Sequence, residues 1–309
     1  MELRHLRYFV AVAEEQHVTR AAERLGIQQP PLSQQIRALE TELDVQLFRR
    51  KPRGMELTDA GQALLDEARV ILDQVEHALA ITARTARGEQ GRLMVGFTSS
   101  APFHPFVPGI IRSFREAYPR VSLVLEEAGT AKLVAALSES RIDAAFIRSP
   151  VADAVGLAVY PVLEEDMVAA LPLGHALSDD ARSDRPLALS ELAGEAFILY
   201  RRHAGPGLYD AILAACHGAG FNPTIAQEAP RVLSTLNLVA AGLGVTLVPA
   251  SLARLAMEGI AFRRLKNRPR LAAPLNLACR RTEHSAAVRH FTAMVRRQAL
   301  AIQSDPNGP

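Results

Sequence analysis

Three groups of side chains in this chain have types and spacings that could do chemistry. In QQPPLSQQIRALE, Ser33, Gln34 and Arg37 lie opposite the apolar Leu32, Ile36 and Leu39 of a helical pattern. Gln can hold adenine through two hydrogen bonds, Arg can do the same for guanine, and Ser suits either, so this set fits base edges. Gln28 and Gln29, just ahead, would lie in a turn beside the nucleic-acid backbone or neighbouring bases. In LFRRKPRGMELT, Arg49, Arg50, Lys51 and Arg53 crowd around Pro52 and Gly54. Cations at such a tip neutralise phosphates or enter a minor groove, which adds affinity but little sequence information. Further along, Ser99 and Ser100 follow one apolar run, Thr130 opens a helical run and Arg148 ends another apolar run. Short hydroxyls, free helix N–H groups and one guanidinium make an anion site suited to a carboxylate. Taken singly, each group has a plainer reading: a solvated helix face, a solvated charged loop, and hydroxyl caps with Arg148 paired to an acidic neighbour.

The elements that must position these residues sharpen the first two groups. Leu6, Phe9, Val10 and Ala13 recur at i, i+3, i+4 and i+7, which predicts a first helix with one buried face. After EEQH, Thr19 is expected to cap a second helix whose Ala21, Ala22 and Leu25 point inward and which Gly26 ends. Pro30 and Pro31 would open the third helix, because proline's missing N–H has no intrahelical partner in the first turn, and they would keep Gln28 and Gln29 extended. Leu32, Ile36, Leu39 and Leu43 are its expected buried face. The short connection makes a helix-turn-helix whose last helix enters a major groove, and the basic hairpin after it reads as a two-stranded wing. Leu64, Ala68, Ile71, Val75 and Ala78 then continue a seam over about thirty residues. That seam predicts a helix of about 45 Å pairing with its copy in a second chain, with packing on its own domain as the alternative.

From Gly91 onward, strand-like and helix-like runs alternate: RLMVGFT, FVPGIIRSFREAY, VSLVLEEA, TAKLVAALSES and IDAAFIR, then DMVAAL, EAFILY, GLYDAILAACHGAG, TIAQEA, RVLSTLNLVAAG and VTLVP. This alternation predicts βαβ units around a mainly parallel sheet. The two sets echo each other, with YP at 118 and NP at 222 before a strand, then LVAAL or LVAAG, then a short strand. Two similar subdomains are expected, with the chain crossing near 163–165, returning near 266–271, and finishing in the first. Ligands of doubly wound sheets bind at the carboxyl ends of the strands, where the third group converges.

With 49% hydrophobic and 22% charged residues among 309 and a net charge of +2, the composition is that of a soluble globular protein of two or three domains. Cys216 and Cys279 form no CxxC and suit a reducing compartment. The charged start MELRHLRYFVAVAEEQ is not a signal peptide, and the most apolar window, 238–257, contains Gly242, Gly244, Pro249 and Arg254, so no membrane span is expected. The cytoplasm is the expected location. The nine histidines show no metal spacing, with His203, His284 and His290 expected at the surface; GLG at 242–244 has the wrong order for a dinucleotide site; Cys216 and His217 face different ways on a helix. No catalytic constellation emerges, so neither an enzyme nor a transported-solute receptor is favoured.

The run AAERLGIQQPPLSQQIRALETELDVQLFRRKPRGMELTDAGQALL resembles the N-terminal region of LysR-type transcriptional regulators, and EEAGTAKLVAALSESRIDAAFIR with AGLGVTLVPAS resembles their effector-binding domain. The resemblance covers essentially the whole chain. It implies a winged helix-turn-helix over 1–58, a dimerisation helix over 59–89 and a two-subdomain α/β domain of periplasmic-binding-protein type over 90–309, with subdomain I at 90–163 and 269–303 and subdomain II at 164–268. It implies double-stranded DNA, a second copy, a tetramer, RNA polymerase and a small-molecule effector as partners, and no cofactor. Thr19, Gln28, Gln29, Pro30, Pro31, Ser33, Gln34, Arg37, Arg49, Arg50 and Arg53 are then the DNA-facing residues, with Arg53 in a minor groove. The family often carries a longer basic residue at the position of Gln34. In regulators of aromatic-acid degradation, residues at Ser100, Thr130 and Arg148, beside Ser99, hold an effector carboxylate, and those at Pro206 and Leu208 close the opposite wall. An organic or aromatic carboxylate is the implied effector.

Overall fold

The computed structural model describes residues 1–51, 54–148, 156–178, 185–202, 206–266 and 271–304. The chain divides into two compact units, Met1–Arg84 and Thr85–Pro309.

In the first unit, α1 (Leu3–Glu15), α2 (Val18–Leu25) and α3 (Gln29–Leu43) precede the antiparallel hairpin β1 (Phe48–Lys51) and β2 (Gly54–Leu57), and α4 (Asp59–Ala86) begins here. The core gathers Leu6, Phe9, Val12, Ala22, Leu32, Ile36, Leu39, Leu47 and Leu65. Phe9 meets Phe48 with ring centroids 5.3 Å apart, so the wing is anchored by an aromatic pair. Two expected core positions differ. Val12 is fully buried where Val10 is half-buried, and Leu43 is exposed because α3 ends there, with Asp44 in a left-handed conformation.

Helix boundaries follow local chemistry. Gly26 ends α2 at φ 65°, as a left-handed cap favours. Gln28 is extended at ψ 150° and caps α3, but Gln29 is already its first residue, so the prolines occupy the second and third positions. Thr19 does not cap α2: His17 stands at that position, and Thr19 lies inside the first turn. The threonine that does cap is Thr58, whose Oγ1 accepts the Gly61 N–H at 2.9 Å while its hydroxyl donates to the Gln46 carbonyl at 2.7 Å. A Cβ on Gly61 would run into the Leu47 carbonyl, so only glycine lets the wing strand approach α4 this closely.

Along α4 the burial pattern departs from the expected seam. Leu65 and Ala68 are buried in the core of the first unit and Leu64 and Leu72 pack against it, so the beginning of the helix is intramolecular. Val70, Ile71 and Leu79 are exposed.

The second unit contains two sheets built on one plan. In the first, β3 (Gln90–Phe97), β4 (Arg120–Glu127) and β5 (Ala144–Ile147) are parallel, and α5 (Phe106–Ala117) and α6 (Thr130–Ser138) connect them. In the second, β7 (Ala196–Tyr200), β8 (Thr224–Ala229) and β9 (Thr246–Pro249) take the same places, connected by α7 (Pro206–Gly218) and α8 (Val232–Ala240). The sheet is mixed, not mainly parallel. A 16-residue strand, β6 (Leu157–Pro172), runs through both halves. Its first part pairs antiparallel with β11 (Ala272–Arg280), which in turn pairs with β5; its second part pairs antiparallel with β9 and with β10 (Ile260–Arg264). The strand orders are therefore β4-β3-β5-β11-β6 and β8-β7-β9-β6-β10, where β7 is joined to the residue just before β9 by an isolated bridge, Phe197 to Val245. DMVAAL is not a new strand but the second part of β6, and the change of partners falls between Asp166 and Met167. α9 (Ala286–Ser304) closes the first half, where Phe291 packs edge-on against Phe114 and Phe146.

Candidate functional site

On the first unit, a groove of about 640 Å³ runs between α3, the start of α2 and the wing. Thr19, Gln29, Ser33, Arg37, Arg49 and Arg50 line it, with Lys51 and His17. Gln29 Nε2 donates to Ser33 Oγ at 2.9 Å, so two of these groups are held together one helical turn apart. Gln28, Pro30, Pro31 and Gln34 are exposed outside the groove. Gln34 lies on the neighbouring strip of α3 with Pro30 and Arg37, spaced three to four residues apart. Arg53 lies outside the described residues. The wing is set against α3 by Glu40, whose Oε1 accepts the Leu47 N–H at 2.8 Å and the Phe48 N–H at 3.2 Å. Lys51 pairs with Glu56 across the hairpin at 2.6 Å, and that cation is the first cause of the lowered Glu56 pKa, with the charge of Arg49 a lesser one; Arg49 and Arg50 are both exposed.

The second unit has a cleft at the carboxyl ends of β3, β5 and β7. Thr98, Ser99 and Ser100 follow β3, Thr130 is the first residue of α6, and Arg148 follows β5. Tyr200, Leu208, Pro230, Val232 and Pro249 supply the facing wall. The structure thus brings Ser99, Ser100, Thr130, Arg148 and Leu208 together; the Pro206 side chain lies outside the described residues.

Arg148 is buried, with 3% of its side chain exposed. Its Nη1 donates to the Ala273 carbonyl at 3.2 Å and its Nη2 to the Ser100 carbonyl at 3.5 Å and to Glu165 Oε1. The acidic-neighbour reading is therefore right as far as it goes, but it leaves Arg148 Nε without a partner. Thr130 does not use its hydroxyl as a helix cap either: Gly129 holds the cap position, and Thr130 Oγ1 is buried and unpartnered. Thr98 Oγ1 and the Tyr200 hydroxyl, missed by sequence reasoning, are in the same state. Four unpaired polar atoms on one cleft are unusual, since native proteins satisfy nearly all such groups. Burial pushes the Arg148 pKa down and the Tyr200 pKa up, so Tyr200 stays a neutral hydroxyl that can donate.

Cys216 and Cys279 are buried, and desolvation pushes the Cys216 thiol up to about 11, away from nucleophilic use. His284 is exposed, but His290, expected at the surface, is half-buried and stacks on Tyr118 at 5.0 Å; His203 lies outside the described residues. Among the described residues no group of side chains could hold a metal ion, and no helix is long and apolar enough to cross a membrane.

Residues 3–62 match the family described as bacterial regulatory helix-turn-helix protein, lysR family, and residues 86–300 match the LysR substrate binding domain. The chain is 39% identical over 294 residues to the HTH-type transcriptional regulator BudR of Raoultella terrigena, covering 95% of this chain and 100% of that one. It is 36% identical over 290 residues to the HTH-type transcriptional regulator BenM of Acinetobacter baylyi, covering 93% of each. Among solved structures, full-length CbnR complexed with its target DNA superposes with a TM-score of 0.83 at 30% identity, covering 97% of this chain and 100% of that one. These relatives are transcriptional regulators, not enzymes. The helix-turn-helix unit and the two-sheet α/β unit of this chain correspond to the two matched family regions. The chain belongs to the LysR family of DNA-binding transcriptional regulators.

Proposed function

We propose that the regulator is controlled by a small carboxylate held in the cleft by Arg148, Thr130 and Ser100, with Ser99 at the entrance and Pro206 and Leu208 on the opposite wall. The observation that carries this is the buried guanidinium whose Nε lacks a partner beside the unpartnered Thr130 Oγ1. A carboxylate supplies two acceptor oxygens to these donors and also meets the first turn of α6, where the helix dipole favours negative charge. An effector can shift the protein only through unequal affinity for two arrangements, and a cleft walled by both halves of the unit provides that inequality.

On the DNA side, the solved complex of CbnR with its target supports placing α3 in the major groove with Ser33, Gln34 and Arg37 toward the bases. Thr19, Gln28, Gln29, Pro30 and Pro31 lie beside the backbone in this reading, and Arg49, Arg50 and Arg53 neutralise phosphates or enter the minor groove. The exposed Val70, Ile71 and Leu79 of α4 are assigned to pairing with a second copy. Pairing of such dimers into a tetramer, contact with RNA polymerase and a cytoplasmic location complete the proposal, with no cofactor.

Thermal-shift screening of small carboxylates against wild type and Arg148→Ala tests the effector site. A ligand that stabilises wild type and leaves the variant unmoved is the expected result, and equal stabilisation of both removes Arg148 as the anchor. Gel shifts on the upstream DNA over a salt series test the rest, with a steep loss of affinity expected as salt rises.

A further inference from the structure

The turn that leads into α2 is fastened to the wing. Gln16, left-handed at φ 52°, presents its carbonyl to the Met55 N–H at 2.8 Å, and Gly54 lies so close to that oxygen that a side chain would run into it. The wing therefore has a set place beside the start of α2. His17 is the next residue. It is exposed, stands at the N-cap position of α2 without making a capping bond, and lines the groove with Thr19, Ser33, Arg37 and Arg49. In helix-turn-helix docking the last helix enters the major groove while the helix before it crosses the sugar-phosphate backbone. A strand that runs from α3 in one groove to Arg49 and Arg50 at the next passes the start of α2, where His17 stands. The nearby carboxylates are already engaged: Arg24 holds Glu14 and Glu15, Lys51 holds Glu56, and Glu40 accepts the Leu47 and Phe48 N–H groups. Arg20 is turned to the Glu15 carbonyl, and Arg37, Arg49, Arg50 and Lys51 leave the groove cationic. A phosphate is the anion that fits beside His17.

We infer that His17 is a further DNA contact, donating to a backbone phosphate, and that it makes DNA affinity depend on pH near neutrality. The inference rests on the docking of α3 and the wing proposed above. Histidine is the side chain whose charge ordinarily changes between pH 5 and 8. A neutral imidazole offers a phosphate one N–H, whereas the imidazolium offers two and a positive charge. The phosphate thus favours the protonated form, binding takes up a proton, and affinity rises as pH falls from 8 to 6. The added cation also releases a further counterion from the DNA, which steepens the salt dependence by about 0.9 for each bound module. No base edge is read, so preferred and random sequences respond alike.

Fluorescence anisotropy of the full-length protein on labelled upstream DNA and on a random duplex, from pH 8 to pH 6 at fixed ionic strength, tests this. Wild type is expected to bind both duplexes at least about threefold more tightly at pH 6 than at pH 8. His17→Gln keeps a neutral donor, so it should match wild type at pH 8 and lose the response. His17→Arg, a fixed cation, should hold the tighter affinity throughout, and melting curves of both free variants check that the fold is unaltered. No response in wild type overturns the inference, as does one confined to the upstream DNA or one that persists in His17→Gln and so belongs to His5 or His77. If Arg37→Ala and Arg49→Ala bind as wild type does, the docking itself is overturned, and the two failures are thereby distinct.

Discussion

Arg148 and Glu165 form a buried pair that extends across the unit: Glu165 takes Arg148 with Oε1 and accepts the backbone N–H of Ser251 at 2.8 Å with Oε2. Arg148 follows β5 in one half, Ser251 follows β9 in the other, and Glu165 stands on β6 just before the strand changes partners. Replacing Glu165 with Gln removes the only negative charge bonded to this guanidinium among the described residues. Breaking a buried pair on one side costs about 3–5 kcal/mol. Glu165→Gln is therefore expected to lower stability by roughly 3 kcal/mol, and to enlarge the stabilisation given by an added carboxylate, which then neutralises Arg148 alone. Urea unfolding with and without a bound acid reads both effects; an unchanged midpoint would contradict the pair's role.

Gly61 gives a prediction about the wing. Gly61→Ala would drive a methyl group into the Leu47 carbonyl, and overpacking of this kind costs about 1–3 kcal/mol. Because Leu47 begins the connection into β1, the wing is displaced with it. Unfolding of the N-terminal unit should move to lower temperature, and DNA affinity should fall although no side chain proposed to face DNA is altered.

The two sets of residues proposed to face DNA predict different losses. Arg37→Ala and Gln34→Ala are expected to cost about 1–3 kcal/mol on the preferred sequence and little on random DNA. Arg49→Ala should weaken binding to both alike and reduce the salt slope by about 1. Competition gel shifts at several salt concentrations separate the two patterns, and identical effects from all three variants would overturn the assignment.

Acid should loosen the N-terminal unit through Glu14. Its carboxylate bonds Arg69 of α4 at 2.9 Å and Arg24 of α2 at 2.8 Å, and these two guanidiniums, Arg69 first, lower its pKa. A carboxyl with a depressed folded-state pKa contributes stability that is fully present above its unfolded value, about 4.3, and is lost as pH falls through the folded value. The pairs are largely solvent-exposed, so the contribution is at most about 1 kcal/mol. Glu14→Gln should flatten the pH dependence of unfolding below about pH 4.5, which melting curves from pH 7 to 3 will reveal.

The helical module was readable because the physics is local. Apolar spacing of three and four marked α1 to α3, Gly26 marked a left-handed cap, and Pro30 and Pro31 marked a first turn. The repeat of YP and NP before β4 and β8 was legible for the same reason, and the equivalent strand orders carry it into space. What escaped were choices made by tertiary contact. Leu64 and Leu65 fit a helical seam equally well until the core takes Leu65. Pro161 and the charged LEED that follows read as a break, but the strand continues through them, with Val162 accommodated where the β11 register shifts. Glu165 could have been found from strand alternation, which turns it inward while Glu164 and Asp166 face out. Thr98 and Tyr200 had no such signal, because a hydroxyl at a strand end looks the same whether or not a partner awaits it.

The position of β11 sets a schedule for synthesis. It inserts between β5 and β6, although about a hundred residues separate it from the part of β6 it joins. Until residues 272–280 leave the ribosome, β5 and β6 each present an open edge, and such edges invite pairing with other chains. At roughly 5–20 residues per second, that interval lasts on the order of 5–20 seconds. The first α/β half is thus begun early and completed last, and during that interval nascent chains depend on being kept apart.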